Sequence, residues 1–182
     1  AGTGLYEVEV WLNSALETEN FGGETNNDLT TAQGLNGSAV ALQGTADRLA
    51  VVGRSDGSDD YYHFDLAAGQ GASLVLTGLD DQGGLQVALL DPSGTLVALG
   101  VRGAGNVDQS ISSFRAPATG RYYARASGEA GHPYSLVITR GADFELESET
   151  GAVALQDISL TGQVLGALGG GGGGGGGGTI RV

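Results

Sequence analysis

The chain has 182 residues, with 21 acidic side chains, eight arginines and no lysine, and its formal net charge is −13. This charge argues against nucleic acid or an anionic membrane surface as the main partner, because contacts to phosphate require a basic patch. The absence of cysteine excludes disulfides, thiolate zinc sites and thiol nucleophiles. No apolar run approaches the roughly 18 residues of a membrane-spanning helix. Cations are therefore the expected ligands, and packing or a metal must stabilise the fold.

The first predicted element is a strand over residues 5–12, where apolar and polar side chains alternate. This strand either covers an edge of the domain's own sheet or adds to the sheet of a neighbouring subunit. Repeated head-to-tail exchange of the second kind does not close, so it produces a filament. In that case the subunit interface consists of Tyr6, Val8, Val10, Trp11 and Leu12.

Short alternating runs separated by Gly, Asp, Asn and Ser fill the middle of the chain. In the run Asp60–Leu66, Tyr62, Phe64 and Leu66 share one face and are expected to point into a core. The only predicted helix is short, over residues 29–35. Many short strands without long helices predict an antiparallel sandwich or barrel. The other predicted strands are residues 72–79, 85–90, 96–101, 107–114, 121–126 and 134–139.

The C-terminal part repeats a pattern that occurs near the start. Residues 24–35 align with residues 147–158, with an acid first, a glutamine nine positions later and an aliphatic residue two further on. The repeat predicts the opening of a second unit, which either continues in a longer array or completes its sheet with a strand from elsewhere. Ten consecutive glycines, Gly169–Gly178, follow. They predict a flexible tether or a stretch of unassigned sequence, the alternative being an extended segment packed between neighbours.

Five short motifs follow one another along the middle of the chain. They lie at residues 24–33, 59–70, 89–94, 117–123 and 134–138. In this order they resemble the bacterial pre-peptidase C-terminal domain, which occurs in secreted proteins and is related to the collagen-binding domains of clostridial collagenases. The resemblance implies an all-β, jelly-roll-like β-sandwich. The chain departs from the family at Thr25, where proline is usual, and at Gly22, where an acid is frequent.

These patterns divide the chain into three predicted parts. Residues 1–22 form an N-terminal strand and linker, residues 23–141 form the sandwich, and residues 142–182 form a partial second repeat with the polyglycine tract. The chain begins with small residues, as a mature product does after a targeting segment has been removed. Together with the resemblance, this predicts an extracellular or cell-surface location.

Carboxylate and amide side chains cluster in two stretches of the predicted sandwich, residues 24–28 and 56–60. Ca²⁺ takes about six to eight oxygen ligands, and two such loops brought together by a sandwich can supply them. In the related collagen-binding domains, an opening segment and a downstream aspartate pair bind calcium. The alternative is a pair of solvated acidic turns. By the resemblance, the implied Ca²⁺ ligands are Glu24, Asn26, Asn27, Asp59 and Asp60.

The sequence offers no catalytic constellation. Neither His63 nor His132 lies beside an obvious serine nucleophile or a second histidine at metal-binding spacing. Adjacent carboxylates such as Asp80 and Asp81 point to opposite faces of a strand, which weakens a role in glycoside hydrolysis. We therefore expect no enzyme. The first hypothesis is a structural module that assembles head to tail with copies of itself, and the alternative is an accessory domain of a secreted peptidase that binds a protein or glycan.

Overall fold

β-strands are the main secondary structure of the described residues. The computed structural model describes residues 10–80, 84–102, 107–146, 156–167 and 180–181. Within these ranges the helices are two single turns of 3₁₀-helix, Glu19–Phe21 and Asn36–Ser38. None of the helices in these ranges has the length and apolar character needed to cross a membrane. The strands are β1 Ala15–Leu16, β2 Gln33–Gly34, β3 Val40–Ala41, β4 Asp47–Arg54, β5 Asp60–Leu66, β6 Gly71–Gly78, β7 Gln86–Leu90, β8 Leu96–Leu99, β9 Gln109–Arg115, β10 Gly120–Ser127, β11 Pro133–Arg140, β12 Asp143–Phe144, β13 Val164–Ala167 and β14 Ile180–Arg181.

The strands form two large sheets and one small one. The first sheet has six strands in the order β1-β4-β11-β6-β9, with β3 also paired to β4, and the second has five in the order β2-β5-β10-β7-β8. A third sheet has the order β12-β13-β14. The predicted all-β sandwich is confirmed. The sheets are mixed rather than purely antiparallel, because β1–β4, β2–β5 and β12–β13 are parallel pairs between strands that no hairpin joins.

A single apolar core lies between the two large sheets. Tyr62, Phe64 and Leu66 on β5 are buried, which confirms the face predicted from alternation. They pack in one cluster with residues from both sheets. The cluster includes Leu35, Leu49, Val51, Leu74, Leu76, Val87, Leu89, Tyr122, Tyr134, Leu136 and Ile138.

The interior strand β4 of the first sheet was not among the predicted strands. Its run Leu49-Ala50-Val51-Val52 is continuously apolar, so it lacks the alternation that reveals a half-buried strand. β4 pairs with β11 along its length and with the short strands β1 and β3. The chain around β1 is therefore attached to the first sheet through β4. Continuous apolar character here reflects burial of Ala50 as well as of the core residue Val51.

The short helix predicted over residues 29–35 is wrong. Asp28 Oδ1 accepts hydrogen bonds from the backbone N–H groups of Thr30 (2.7 Å) and Thr31 (3.0 Å), which closes a turn. The chain then enters β2, where Gln33 and Gly34 pair with β5. A helix does not form here because the pairing of Gln33 and Gly34 with β5 competes with it and prevails.

The C-terminal segment is attached to the first sheet by a buried carboxylate. Asp143 is fully buried, and its Oδ1 accepts hydrogen bonds from Ser73 Oγ (2.9 Å) and Ser113 Oγ (3.3 Å). Its Oδ2 accepts one from Thr161 Oγ1 (2.7 Å). A Cβ atom at Gly71 would lie 2.8 Å from Thr161 Cγ2, so the segment packs closely on β6. Residues 156–167 therefore dock on the sandwich through Asp143.

Replacing this carboxylate should loosen the C-terminal segment. Asp143→Ala removes the acceptor of three hydroxyl groups, which costs about 1–3 kcal/mol for the buried groups left unpaired. Hydrogen exchange should then speed up in residues 156–167. The matched control is Asp157→Ala, whose exposed carboxylate accepts only from its neighbour Ser159 among the described residues. Equal exchange in the two variants would contradict this role of Asp143.

Candidate cation site on the leading segment

The segment that precedes the sandwich carries a buried glutamate onto the first sheet. We call residues 14–26 the leading segment. Its strand β1 runs parallel to β4, and the backbone N–H of Glu17 donates to Val52 O (3.0 Å). A Cβ atom at Gly53 would lie 2.7 Å from Glu17 Oε2, so only glycine leaves room for this carboxylate. Glu17 is 1% exposed.

Three carboxylates meet at this point. Oxygen atoms of Glu17, Glu19 and Asp60 all lie within 4.8 Å of one another. Glu17 and Asp60 are buried, and Glu19 is half-buried. Burying like charges this close is costly unless protons or a cation neutralise them. The geometry is that of a site which can hold a divalent metal ion.

The amide of Asn26 is also buried beside this cluster. Its backbone N–H donates to Glu19 Oε2 (3.2 Å), and its carbonyl accepts from the backbone N–H of Tyr61 (2.7 Å). Its side-chain Oδ1 and Nδ2, like Glu17 Oε1, are buried without a hydrogen-bond partner among the described residues. Buried polar atoms normally have partners. Two unpartnered oxygens next to carboxylates fit the oxygen donor set that Ca²⁺ prefers.

A tyrosine pair links the cluster to the core. The Tyr134 hydroxyl donates to Asp60 Oδ2 (2.7 Å) and lies 2.6 Å from the Tyr62 hydroxyl. Burial raises the pKa of Asp60 from 3.8 to about 8, with the nearby charge of Glu17 contributing in the same direction. Burial also raises the pKa of both tyrosines, so they stay neutral. Without a cation, Asp60 therefore holds a proton at neutral pH.

The structure brings together only two of the five ligands implied by the resemblance. Asn26 and Asp60 lie at the carboxylate cluster, which joins the leading segment to the start of β5. Asp59 lies outside it and forms an ion pair with Arg125 (3.3 Å). The side chains of Glu24 and Asn27 are exposed. Metal binding by any of the five stays a prediction.

Glu17 and Glu19 were not among the residues singled out from the sequence. One signal could have found them, because the spacing of Glu17 and Glu19 recurs as Glu145 and Glu147. The repeat of residues 24–35 in residues 147–158 does not include this pair, because five extra residues in the first copy separate it from Gln33.

The predicted interface strand lies only partly within the described residues. Tyr6 and Val8 fall outside them. Val10, Trp11 and Leu12 are 75%, 42% and 80% exposed, and none of the three is in a strand.

The two histidines have ordinary surroundings. His132 Nδ1 lies 2.9 Å from Asp80 Oδ2 at the surface. The ring of His63 meets Tyr123 edge to face with centroids 6.4 Å apart, and burial lowers its pKa. Within the described ranges neither ring is hydrogen-bonded to a serine hydroxyl.

Part of the sandwich matches a protein-family model. Residues 58–128, from just before β5 to the end of β10, match the model of the Bacterial pre-peptidase C-terminal domain, which confirms the resemblance over this range. This match supports an accessory domain that acts outside the cytoplasm. A search of curated proteins gave no match. Among solved structures, the chain is similar to PliG of Aeromonas hydrophila, a periplasmic lysozyme inhibitor of g-type lysozyme, at 16% identity and a TM-score of 0.42, covering 60% of this chain and 95% of that one.

Proposed function

We propose that the protein is a non-catalytic extracellular structural module that assembles head to tail with copies of itself through its terminal strands. A divalent cation, Ca²⁺ by its donor chemistry, holds the leading segment on the sandwich. The family match supports an extracellular location and a role without catalysis of its own.

The proposal of self-assembly is supported by the exposure of apolar residues near the N-terminus. The described core between the two large sheets is built from residues between Leu35 and Ile138, and Val10 and Leu12 are not part of it. Val10 and Leu12 nevertheless present apolar side chains that are 75% and 80% exposed, at the end of an alternating run. An apolar stripe of this kind is typical of a surface that another strand or subunit covers.

The cation part of the proposal rests on the carboxylate cluster. Glu17, Glu19 and Asp60 would supply charged oxygens, and Asn26 Oδ1 would supply a neutral one. A bound cation would neutralise the buried charge and connect the leading segment to β5. This would fix the direction in which the N-terminal strand leaves its own sandwich.

Removing the N-terminal stripe should separate folding from assembly. Deletion of residues 1–14 removes none of the described core residues, so we expect an unchanged melting temperature within a few degrees and a monomer in sedimentation velocity. The full chain should sediment as polymers under the same conditions. The matched control is Leu99→Asp in the full chain, which places a charge on an exposed apolar residue of β8, 56% exposed. Assembly that survives the deletion would refute the proposal.

The second candidate is an accessory binding domain of a secreted peptidase. The family match favours it, and so does the outer face of the second sheet, where Tyr61 and Tyr123 are half-buried on neighbouring strands. Such a domain would bind a protein or glycan through these rings. This function would be favoured over assembly if the full chain stayed monomeric and bound to a glycan or protein array, and if the Tyr123→Ala variant lost that binding.

A further inference from the structure

A glutamine makes the same pair of hydrogen bonds at both ends of the chain. Gln33 Nε2 donates to Leu16 O (2.8 Å), and Gln33 Oε1 accepts from the backbone N–H of Thr18 (3.0 Å). Gln156 Nε2 donates to Phe144 O (2.7 Å), and its Oε1 accepts from the backbone N–H of Leu146 (3.0 Å). In each case one side chain bridges the carbonyl and the N–H of residues two apart. Between those residues stands a glutamate, Glu17 or Glu145.

The strand pairing around these glutamates also repeats. β1 runs parallel to β4, and β12 runs parallel to β13. The N–H of Glu17 donates to Val52 O (3.0 Å), and that of Glu145 donates to Leu165 O (2.8 Å). A glycine follows each acceptor, and a Cβ on Gly53 or Gly166 would collide with the glutamate above it. β13 then pairs antiparallel with β14, as β4 does with β11.

The connections between these elements share two hydrogen bonds, although Ala50 follows Ser38 by 12 residues and Gln163 follows Thr161 by two. The N–H of Ser38 donates to Leu35 O (2.9 Å), and that of Thr161 donates to Ile158 O (3.2 Å). Ser38 Oγ accepts a hydrogen bond from the backbone N–H of Ala50 (3.2 Å), and Thr161 Oγ1 accepts one from that of Gln163 (3.5 Å). The next residues, Val51 and Val164, begin the pairing with β1 and β12. Residues 143–146 and 156–167 are therefore a second copy of the framework that opens the first sandwich.

Among the described residues, the second copy has no strand equivalent to β5, which completes the first. In the first copy β2 pairs with β5, and Leu35 and Val51 are 0% exposed in the core cluster. Their equivalents are Ile158, which is half-buried, and Val164, which is 37% exposed. Among the described residues no strand pairs with residues 156–158. The core face of the second copy is thus open.

We propose that this open face, formed by residues 156–158 and β13, is the acceptor for residues 5–12 of a second copy of the chain. The inserted strand lies where β5 lies in the first unit. This inference rests on the proposed head-to-tail assembly and names the site at which it occurs.

The sequence of the donor segment matches the strand that fills the equivalent place. β5 presents Tyr62, Phe64 and Leu66 to the core at two-residue spacing. The donor carries an aromatic residue followed by aliphatic ones at the same spacing, Tyr6, Val8 and Val10. Val10 is exposed on its own chain, so it is available to a neighbour. Donor and acceptor lie at opposite ends of the chain, so each insertion leaves a free site for the next.

Complementation between two assembly-deficient variants tests this site directly. Val164→Asp should destroy the acceptor, and deletion of residues 1–14 should remove the donor. We expect each variant alone to sediment as a monomer and an equimolar mixture to form a dimer that grows no further. Val97→Asp, at an exposed valine of β8 with 39% exposure, is the matched control and should still form polymers. Ile158→Asp provides a second acceptor variant.

The outcomes separate this inference from the proposed function. If Val164→Asp and Ile158→Asp both form polymers while the N-terminal deletion gives monomers, the acceptor lies elsewhere. That result would overturn the inference and leave the proposed function standing. A full chain that is monomeric at all concentrations would overturn the inference together with the proposed assembly. This includes the case in which the N-terminal strand fills the acceptor of its own chain.

Discussion

Millimolar Ca²⁺ is expected to raise the melting temperature by about 5–10 °C at pH 8 and by much less at pH 5. The reason is competition between the cation and a proton for the buried carboxylate of Asp60. Its pKa in the folded protein is about 8, against an ordinary value of 3.8. At pH 5 the proton occupies the site, and at pH 8 the ionised carboxylate is available to the cation.

The same shift sets the pH dependence of the cation-free protein. Between about pH 4 and pH 8 the folded state binds one proton more than the unfolded state. The stability that this raised pKa contributes is present at acid pH and is lost as the pH rises towards 8. Thermal melts in chelator should show this decline. Asp60→Asn should flatten both the decline and the response to Ca²⁺, and an equal Ca²⁺ response at pH 5 and pH 8 would contradict the proposed role of Asp60.

Gly53→Ala is expected to destabilise the protein by about 2–4 kcal/mol, because a methyl group has no room there. Its Cβ would lie 2.7 Å from Glu17 Oε2 and 2.7 Å from Tyr134 Cζ. Both side chains would have to leave their places beside Asp60, so the variant should also lose most of its stabilisation by Ca²⁺.

Urea denaturation with and without Ca²⁺ measures both effects. Gly37→Ala is the matched control, because nothing lies within 4 Å of a Cβ at that position and the backbone is not left-handed. It should change stability by no more than about 0.5 kcal/mol. A Gly53→Ala variant as stable as this control would show that the carboxylate is not held against β4 as described.

The fold could be predicted where strands bury a single face. β5 has the predicted bounds, and β6, β10 and β11 differ from their predicted ranges by one residue at each end. In β5, β10 and β11 buried positions alternate with more exposed ones because one side packs on the core, whereas β6 is buried on both sides. β4 could not be found in this way, since its run Leu49–Val52 is continuously apolar. The parallel pairings of β1 and β2 depend on contacts distant in sequence, which no local pattern indicates.

The candidate site could be predicted only in part, because it too depends on contacts between segments distant in sequence. Asn26 and Asp60 come from segments with a recognisable motif, whereas Glu17 reaches the cluster through the parallel pairing of β1 with β4. Asp59 was grouped with Asp60, but neighbours along an extended chain point in opposite directions, and Asp59 pairs with Arg125. The repeat was visible in sequence from the two glutamines, and its extent became clear only from their hydrogen bonds.

Electron microscopy of the purified full chain, at matched concentrations in Ca²⁺ and in chelator, tests the central claim most directly. We expect ordered filaments in Ca²⁺, because the leading segment is then fixed and the N-terminal strand is presented to the next subunit. In chelator at pH 8 the filaments should shorten or disappear. Dispersed monomers in both conditions would contradict assembly and would leave the accessory binding domain as the function that the family match supports.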